Sequence, residues 1–134
     1  MVRRLAKGIE LIEDINGRGT EARKGSKVTY NARLYLRKGE EVTFDARSIA
    51  AYGDRLETRL IKGIELIDHK IILGKRQAFA GLEKSLYGMR PGGYREVLVA
   101  PHLGYGEAGI AGSIPPNALL RVQLWVQAVS QINT

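Results

Sequence analysis

Two stretches of the chain alternate apolar and polar residues with a period of two. Val28, Tyr30, Ala32, Leu34 and Leu36 interleave with Thr29, Asn31, Arg33, Tyr35 and Arg37. Leu120, Val122, Leu124 and Val126 interleave with Arg121, Gln123, Trp125 and Gln127. This spacing sends every second side chain to the same face of an extended chain, so both read as half-buried strands. Gly25-Ser26 and Lys38-Gly39 bracket the first as turns. The run from Arg95 to Ala100, with Val97 and Val99, reads as a third strand. By the same alternation Trp125 faces away from Val122, Leu124 and Val126. It packs beneath the N-terminal strand or the long insert, or it stands as an exposed docking surface.

Residues 75–89 change period. Phe79, Leu82 and Leu86 recur after three and four residues, which places them on one face of a helix. Gly88 supplies the left-handed stop expected just past its end. One short helix among antiparallel-type strands predicts an α+β domain, a curved antiparallel β-sheet packed around a single helix. The hexapeptide KGIELI occurs at 7–12 and again at 62–67. Two units are too few for a stacked repeat, which needs about three. They read as two strands of similar composition or as a local duplication. An insert at about 46–68 carries Leu56, Leu60, Ile64 and Leu66, allowing an extra hairpin that turns at Lys62-Gly63. Edge stabilisation and partner binding are both open roles for it.

With 134 residues, 44% hydrophobic and 26% charged, the chain fits one folded domain over 1–134. No apolar run approaches the roughly 18–20 residues needed to span a bilayer, which argues against a membrane partner. Lys7, Glu10, Glu13 and Asp14 interrupt any apolar core of a signal peptide at the start. The absence of cysteine removes disulfides and thiolate chemistry, and suits a reducing cytoplasm. The net charge is +7, but basic residues occur as scattered pairs, usually with acids nearby. After residue 96 only Glu107 and Arg121 remain charged. A nucleic-acid partner is therefore disfavoured, since it calls for a basic stripe with interleaved aromatics. His69 and His102 have no metal-ligand spacing. No serine lies in a nucleophile elbow, and GYGEAG at 104–109 lacks the setting of a phosphate loop. That run reads instead as a flap over a cleft.

Residues 88–120, GMRPGGYREVLVAPHLGYGEAGIAGSIPPNALL, hold all four prolines and seven of the sixteen glycines. A Gly-Met turn, a strand, a Pro-x-x-x-Tyr-Gly-Glu loop and an Ile-Pro-Pro-Asn-Ala segment follow in order. This sequence of features resembles the C-terminal half of the FKBP-type peptidyl-prolyl cis-trans isomerases, and a looser likeness extends from about Lys7 to Val129. The resemblance implies an FKBP-like fold, with the helix flooring a cleft that accepts X-Pro segments. It implies no cofactor, and as partners proline-containing peptides and unfolded or partly folded proteins.

The resemblance carries roles to particular positions. Tyr105 matches the tyrosine of the family's Tyr-Gly loop, and Phe44-Asp45 matches a Phe-Asp pair; Tyr105 and Asp45 are the implied catalytic groups. Tyr30, Phe44, Ala78, Phe79, Leu82, Ile114 and Val122 are the implied substrate-binding residues, with Leu82 as the floor. Competing roles are core packing for Phe79, Leu82, Ile114 and Val122, loop anchoring for Tyr105, and turn stabilisation for Asp45. Leu82 stands where the family often has Trp, and His69 and Val122 replace other rings. A shallower, less aromatic cleft disfavours macrolide binding more than catalysis. The chemistry needs no nucleophile. An apolar surface that excludes water favours the twisted amide over the planar one, and a few hydrogen-bond donors hold the carbonyls. A weakly active or inactive protein-binding module on the same fold is the alternative.

Overall fold

The alternation that begins at Val28 builds the strand around which the sheet is organised. In the computed structural model, which describes residues 3–42 and 56–131, this strand is β3 (Ser26–Tyr35). It is preceded by β1 (Arg3–Ala6) and β2 (Ile9–Ile15) and followed by β4 (Glu41–Val42). The chain continues through β5 (Thr58–Ile61), β6 (Ile64–Ile67) and β7 (His69–Ile72) to helix α1 (Ala80–Leu86). Strands β8 (Tyr94–Val99) and β9 (Leu120–Gln131) complete it.

Among the described residues seven strands form one antiparallel sheet in the order β1-β2-β8-β9-β3-β4, with β7 also on β3. β3 runs against β9 from Ser26↔Gln131 to Tyr35↔Arg121. Its other edge is shared: β7 takes Lys27 to Tyr30, and β4 takes Leu34 and Tyr35. The inward residues of the two predicted alternating strands, Val28, Ala32, Leu34, Leu120, Val122, Leu124 and Val126, are buried with Val97 and Val99 against Leu82 and Leu86 of α1. Each such valine or leucine contributes about 1.5–3 kcal/mol on full burial. Among the described residues the result is the expected α+β fold, a curved antiparallel sheet wrapped around one short α-helix. Among the described residues no helix is long and apolar enough to cross a membrane.

The helix is shorter than the periodic segment that predicts it. Phe79 is its N-cap, with extended φ −63° and ψ 151°. Past its end Gly88 takes the expected left-handed conformation, φ +85°, and its N–H donates to Ala22 O at 2.9 Å. A seven-residue helix is well below the roughly 12–15 residues that survive alone in water, so the sheet must hold it. Two contacts do so. Gly81 lies so close to β8 that a Cβ there would sit 2.3 Å from Val99 Cγ1. Buried Arg95 of β8 donates from Nη1 to Ser85 O at 2.9 Å and to Tyr87 O at 2.7 Å. These are carbonyls that the last helical turn leaves without intrahelical partners. The same guanidinium pairs with Asp14 of β2 at 3.2 Å.

Both copies of KGIELI form a hairpin turn and its returning strand, although the turns differ, since Lys62 but not Lys7 is left-handed and β1–β2 carries a bulge. Lys7-Gly8 and Lys62-Gly63 are hairpin turns, with Gly8 at φ +82° and Gly63 at φ +81°, and each IELI is the returning strand. Lys62 is itself left-handed at φ +51°, as a two-residue hairpin turn of this kind requires. The insert thus contains the predicted hairpin, β5–β6, as a separate two-stranded sheet.

How this hairpin docks departs from the alternation. Asn31 belongs to the polar face of β3 yet is fully buried. Its Nδ2 donates to Asp68 Oδ1 at 2.7 Å and to Ile67 O at 2.8 Å. Arg59 of β5 grips both oxygens of Asp68, at 2.7 and 2.9 Å. Arg59 also donates to Gln127 Oε1 at 3.0 Å, and Gln127 Nε2 donates to Asn31 Oδ1 at 3.0 Å. The four side chains close a ring that joins the hairpin to β3 and β9. Trp125, the register partner of both Asn31 and Tyr94, packs its ring on Tyr94 with centroids 5.1 Å apart.

Because Asp68 is buried and serves two donors, Asp68→Ala is expected to destabilise the fold by about 2–3 kcal/mol. Arg59→Ala leaves that buried carboxylate without its bidentate donor and is expected to cost a comparable amount, about 1–3 kcal/mol. Urea denaturation of both variants checks this. A loss below about 0.5 kcal/mol in both would reject the ring as the fastening.

Candidate functional site

The segment 77–82 brings three of the residues singled out in the sequence to one place. Ala78 and Phe79 lead into α1, Phe79 in extended conformation, and both stay partly exposed while packing on the core. Leu82 follows one turn later and is 4% exposed. As the N-cap, Phe79 keeps its N–H outside the ladder of the helix.

The flap comes to the same place from the other side. A 3-10 turn at Pro101–Leu103 leads through Gly104 to Tyr105, whose ring meets Phe79 with centroids 5.2 Å apart and planes inclined at 49°. The flap is a chain of hydrogen-bonded turns. Gly106 N–H donates to Pro101 O at 2.9 Å and Gly109 N–H to Tyr105 O at 2.9 Å. Ile110 and Ile114 exchange two bonds at 2.8 Å, and Asn117 N–H closes the loop on Gly106 O at 2.8 Å. Gly109, at φ +57°, admits no side chain, since a Cβ would lie 2.3 Å from Ile114 O. Half-buried Tyr105 has its phenol pushed above the usual tyrosine range by desolvation. It remains a protonated donor at neutral pH.

The remaining residues sit deeper. Ile114 is 3% exposed and Tyr30 4%. Val122 is fully buried between Leu34 on β3 and Val97 on β8, beneath the surface rather than on it. Tyr30 stacks on His69, with centroids 5.3 Å apart and planes 27° apart. The ring position that the family often fills with Phe therefore still carries an aromatic contact. Burial is the larger influence on His69 and lowers its pKa, and the neighbouring Asp68 opposes that shift. Phe44 and Asp45 lie outside the described residues. Leu82, Ile114, Tyr30 and Val122 thus share one apolar cluster with Ala78, Phe79 and Tyr105 against it. The exposed part of that group is Ala78, Phe79 and Tyr105.

One feature beside this cluster has only an indirect signal in the sequence. A groove of about 770 Å³ runs between the β3–β4 turn and the flap, and Ile114 is part of its lining. In the sequence Arg37 and Lys38 read only as a basic pair and a turn. Leu36 at the inward end of the alternation, followed by those two cations, was the available signal.

A family model described as FKBP-type peptidyl-prolyl cis-trans isomerase matches residues 19–124. Human peptidyl-prolyl cis-trans isomerase FKBP9 is 44% identical over 52 residues, which are 39% of this chain and 9% of the human protein. The 39 kDa FK506-binding nuclear protein of Drosophila melanogaster is 29% identical over 129 residues, 95% of this chain and 31% of the fly protein. The chain therefore spans only a small part of the length of these curated relatives. Among solved structures, a peptidyl-prolyl cis-trans isomerase from Pseudomonas syringae pv. tomato matches with a TM-score of 0.71 at 20% identity, covering 97% of this chain and 81% of that one. FkpA from Escherichia coli matches with a TM-score of 0.67 at 23% identity, covering 97% and 52% respectively. Both likenesses concern the fold.

The burial of His69 makes stability depend on pH. With its pKa held below the ordinary 6.5, His69 binds a proton more weakly folded than unfolded. Stability is therefore complete above about pH 6.5 and falls as the pH drops below it. Asp68, lowered below 3.8 chiefly by its hydrogen bond from Arg59, adds a second loss that begins near pH 4. In thermal unfolding between pH 7.5 and 3, His69→Phe is expected to flatten the upper limb and keep the lower one. An upper limb unchanged in that variant would remove His69 as its cause.

Proposed function

Because the chain belongs to the FKBP-type peptidyl-prolyl cis-trans isomerase family, we propose that it catalyses cis–trans isomerisation of X-Pro bonds in polypeptides. The observation that carries this reading is the contact of Phe79 with Tyr105, which sets an apolar ring beside a half-buried, protonated hydroxyl. An amide bond resists rotation with a barrier of about 18–20 kcal/mol because resonance keeps it planar. The prolyl ring rests on Phe79 and Ala78, with Leu82 and Ile114 fixing that surface from below. Water excluded there no longer stabilises the planar, polar amide, and the twisted form is favoured by comparison. Tyr105 donates its hydroxyl to a substrate carbonyl and holds the peptide while the bond turns. Asp45 would polarise the cleft or hold the hydroxyl of Tyr30, and Phe44 would add to its wall. The partners are proline-containing peptides and unfolded or partly folded proteins, in a cytoplasmic setting that suits a chain without cysteine.

A second reading has its own support. Leu82, Ile114 and Val122 are nearly or wholly buried, so little of the inherited cleft surface is available to a prolyl ring. On that reading the protein holds unfolded chains as a chaperone and turns prolyl bonds slowly. A proline-limited refolding assay separates the two, since a holding module suppresses aggregation without shortening the slow phase.

If the isomerase reading holds, Tyr105→Phe removes one hydrogen bond, worth about 1 kcal/mol, and lowers kcat/KM roughly fivefold. Phe79→Ala removes the apolar seat itself and is expected to cost at least about tenfold. Wild-type rates from both variants, measured on folded protein with a short prolyl peptide, would place the reaction elsewhere.

A further inference from the structure

We infer that the groove between the β3–β4 turn and the flap is a second binding surface, which takes the acidic flank of a client polypeptide beside its proline. This inference rests on the isomerase reading for the place of the proline, because Ile114 belongs both to the apolar cluster under Phe79 and to the groove lining. One wall of the groove is the turn after β3, contributing Leu36, Arg37, Lys38 and Glu40. The other is the flap, contributing Ile110, Pro115 and Leu119 among its apolar residues. At about 770 Å³ it lies within the range of roughly 300–1,000 Å³ typical of ligand clefts.

Both walls are formed before anything binds. Leu36 N–H donates to Glu40 O at 2.8 Å, and Gly39 N–H donates to Leu36 O at 2.9 Å, closing the turn. The paired bonds between Ile110 and Ile114 close the flap opposite. Little ordering entropy is therefore lost when a segment enters, a condition that favours affinity. The chemistry of the occupant follows from the lining. Ile110 stands 38% exposed, a large apolar side chain facing water unless something covers it. Among the described residues the charged part of the lining is Arg37, Lys38 and Glu40, which is net positive, as is the whole chain at +7. An apolar residue followed by acidic ones satisfies both features, whereas a lysine-rich flank meets like charge.

The test uses acetylated peptides with a central Leu-Pro and a run of Glu, Ala or Lys at one end, each end in turn. Exchange NMR gives kcat/KM for every peptide. With the full chain, the Glu-flanked peptide is expected to exceed the Lys-flanked one by at least about threefold, and less at high salt. In Arg37→Glu/Lys38→Glu the order is expected to reverse. Equal rates for the Glu and Lys peptides in the parent, or a preference that survives the double substitution, would overturn the inference. If no peptide is accelerated, the isomerase reading fails separately. The groove is then judged by amide shifts at Arg37 and Ile110 on titration with the Glu peptide. Shifts that are absent in the double variant support it, and no shift in the parent refutes it.

Discussion

A helix of seven residues cannot stand by itself, and the apolar cluster of this protein is arranged around one. Its few internal hydrogen bonds do not offset the cost of fixing the first turn. Arg95 resolves this by reaching from β8 to the carbonyls of Ser85 and Tyr87 while held by Asp14 on β2. One buried cation thereby ties two neighbouring strands to the end of the helix. Gly81 allows the backbone to approach Val99 closely enough for that reach. With α1 fixed in this way, Leu82 and Leu86 fall into the concavity of the sheet. Phe79, one residue ahead of the helix, is left at the surface against Tyr105.

Much of this was legible in the sequence where a single face decides the outcome. The alternation from Val28 to Leu36 and from Leu120 to Val126 defined β3 and β9, and the change of period at Phe79 defined α1. Strand propensity marked β8, and Arg95 shares its parity with Val97 and Val99, the inward residues of that strand. What alternation could not show was a second layer. Asn31 falls on the outer face of β3, and only the docked hairpin buries it. Its side-chain partners Asp68 and Gln127 lie 37 and 96 residues away along the chain, beyond the reach of any local pattern. For the site, the Tyr-Gly and Ile-Pro-Pro motifs located the flap. The meeting of Phe79 with Tyr105 depends on how the flap folds back, which spacing alone does not state.

The fastening of the hairpin is polar where the packing of sheet on helix is mainly apolar, and the two kinds of contact do different work. Apolar burial is non-directional and would tolerate the hairpin in several positions. A ring of four side chains with matched donors and acceptors is satisfied in one arrangement, because displacement leaves buried polar groups without partners. The hairpin is thereby held to one register on the outer face. The cost of losing any member falls on the others.

Strands β4 and β7 lie end to end along one edge of β3. The chain leaves that edge at Val42 and returns to it at His69. What is spliced between those two points adds no backbone pairing to β8 or β9, and its hairpin is fastened to the sheet by the side chains of Asn31 and Gln127. Evolution is free to lengthen, shorten or replace this excursion while the scaffold stays as it is, so diversification among homologues should concentrate there.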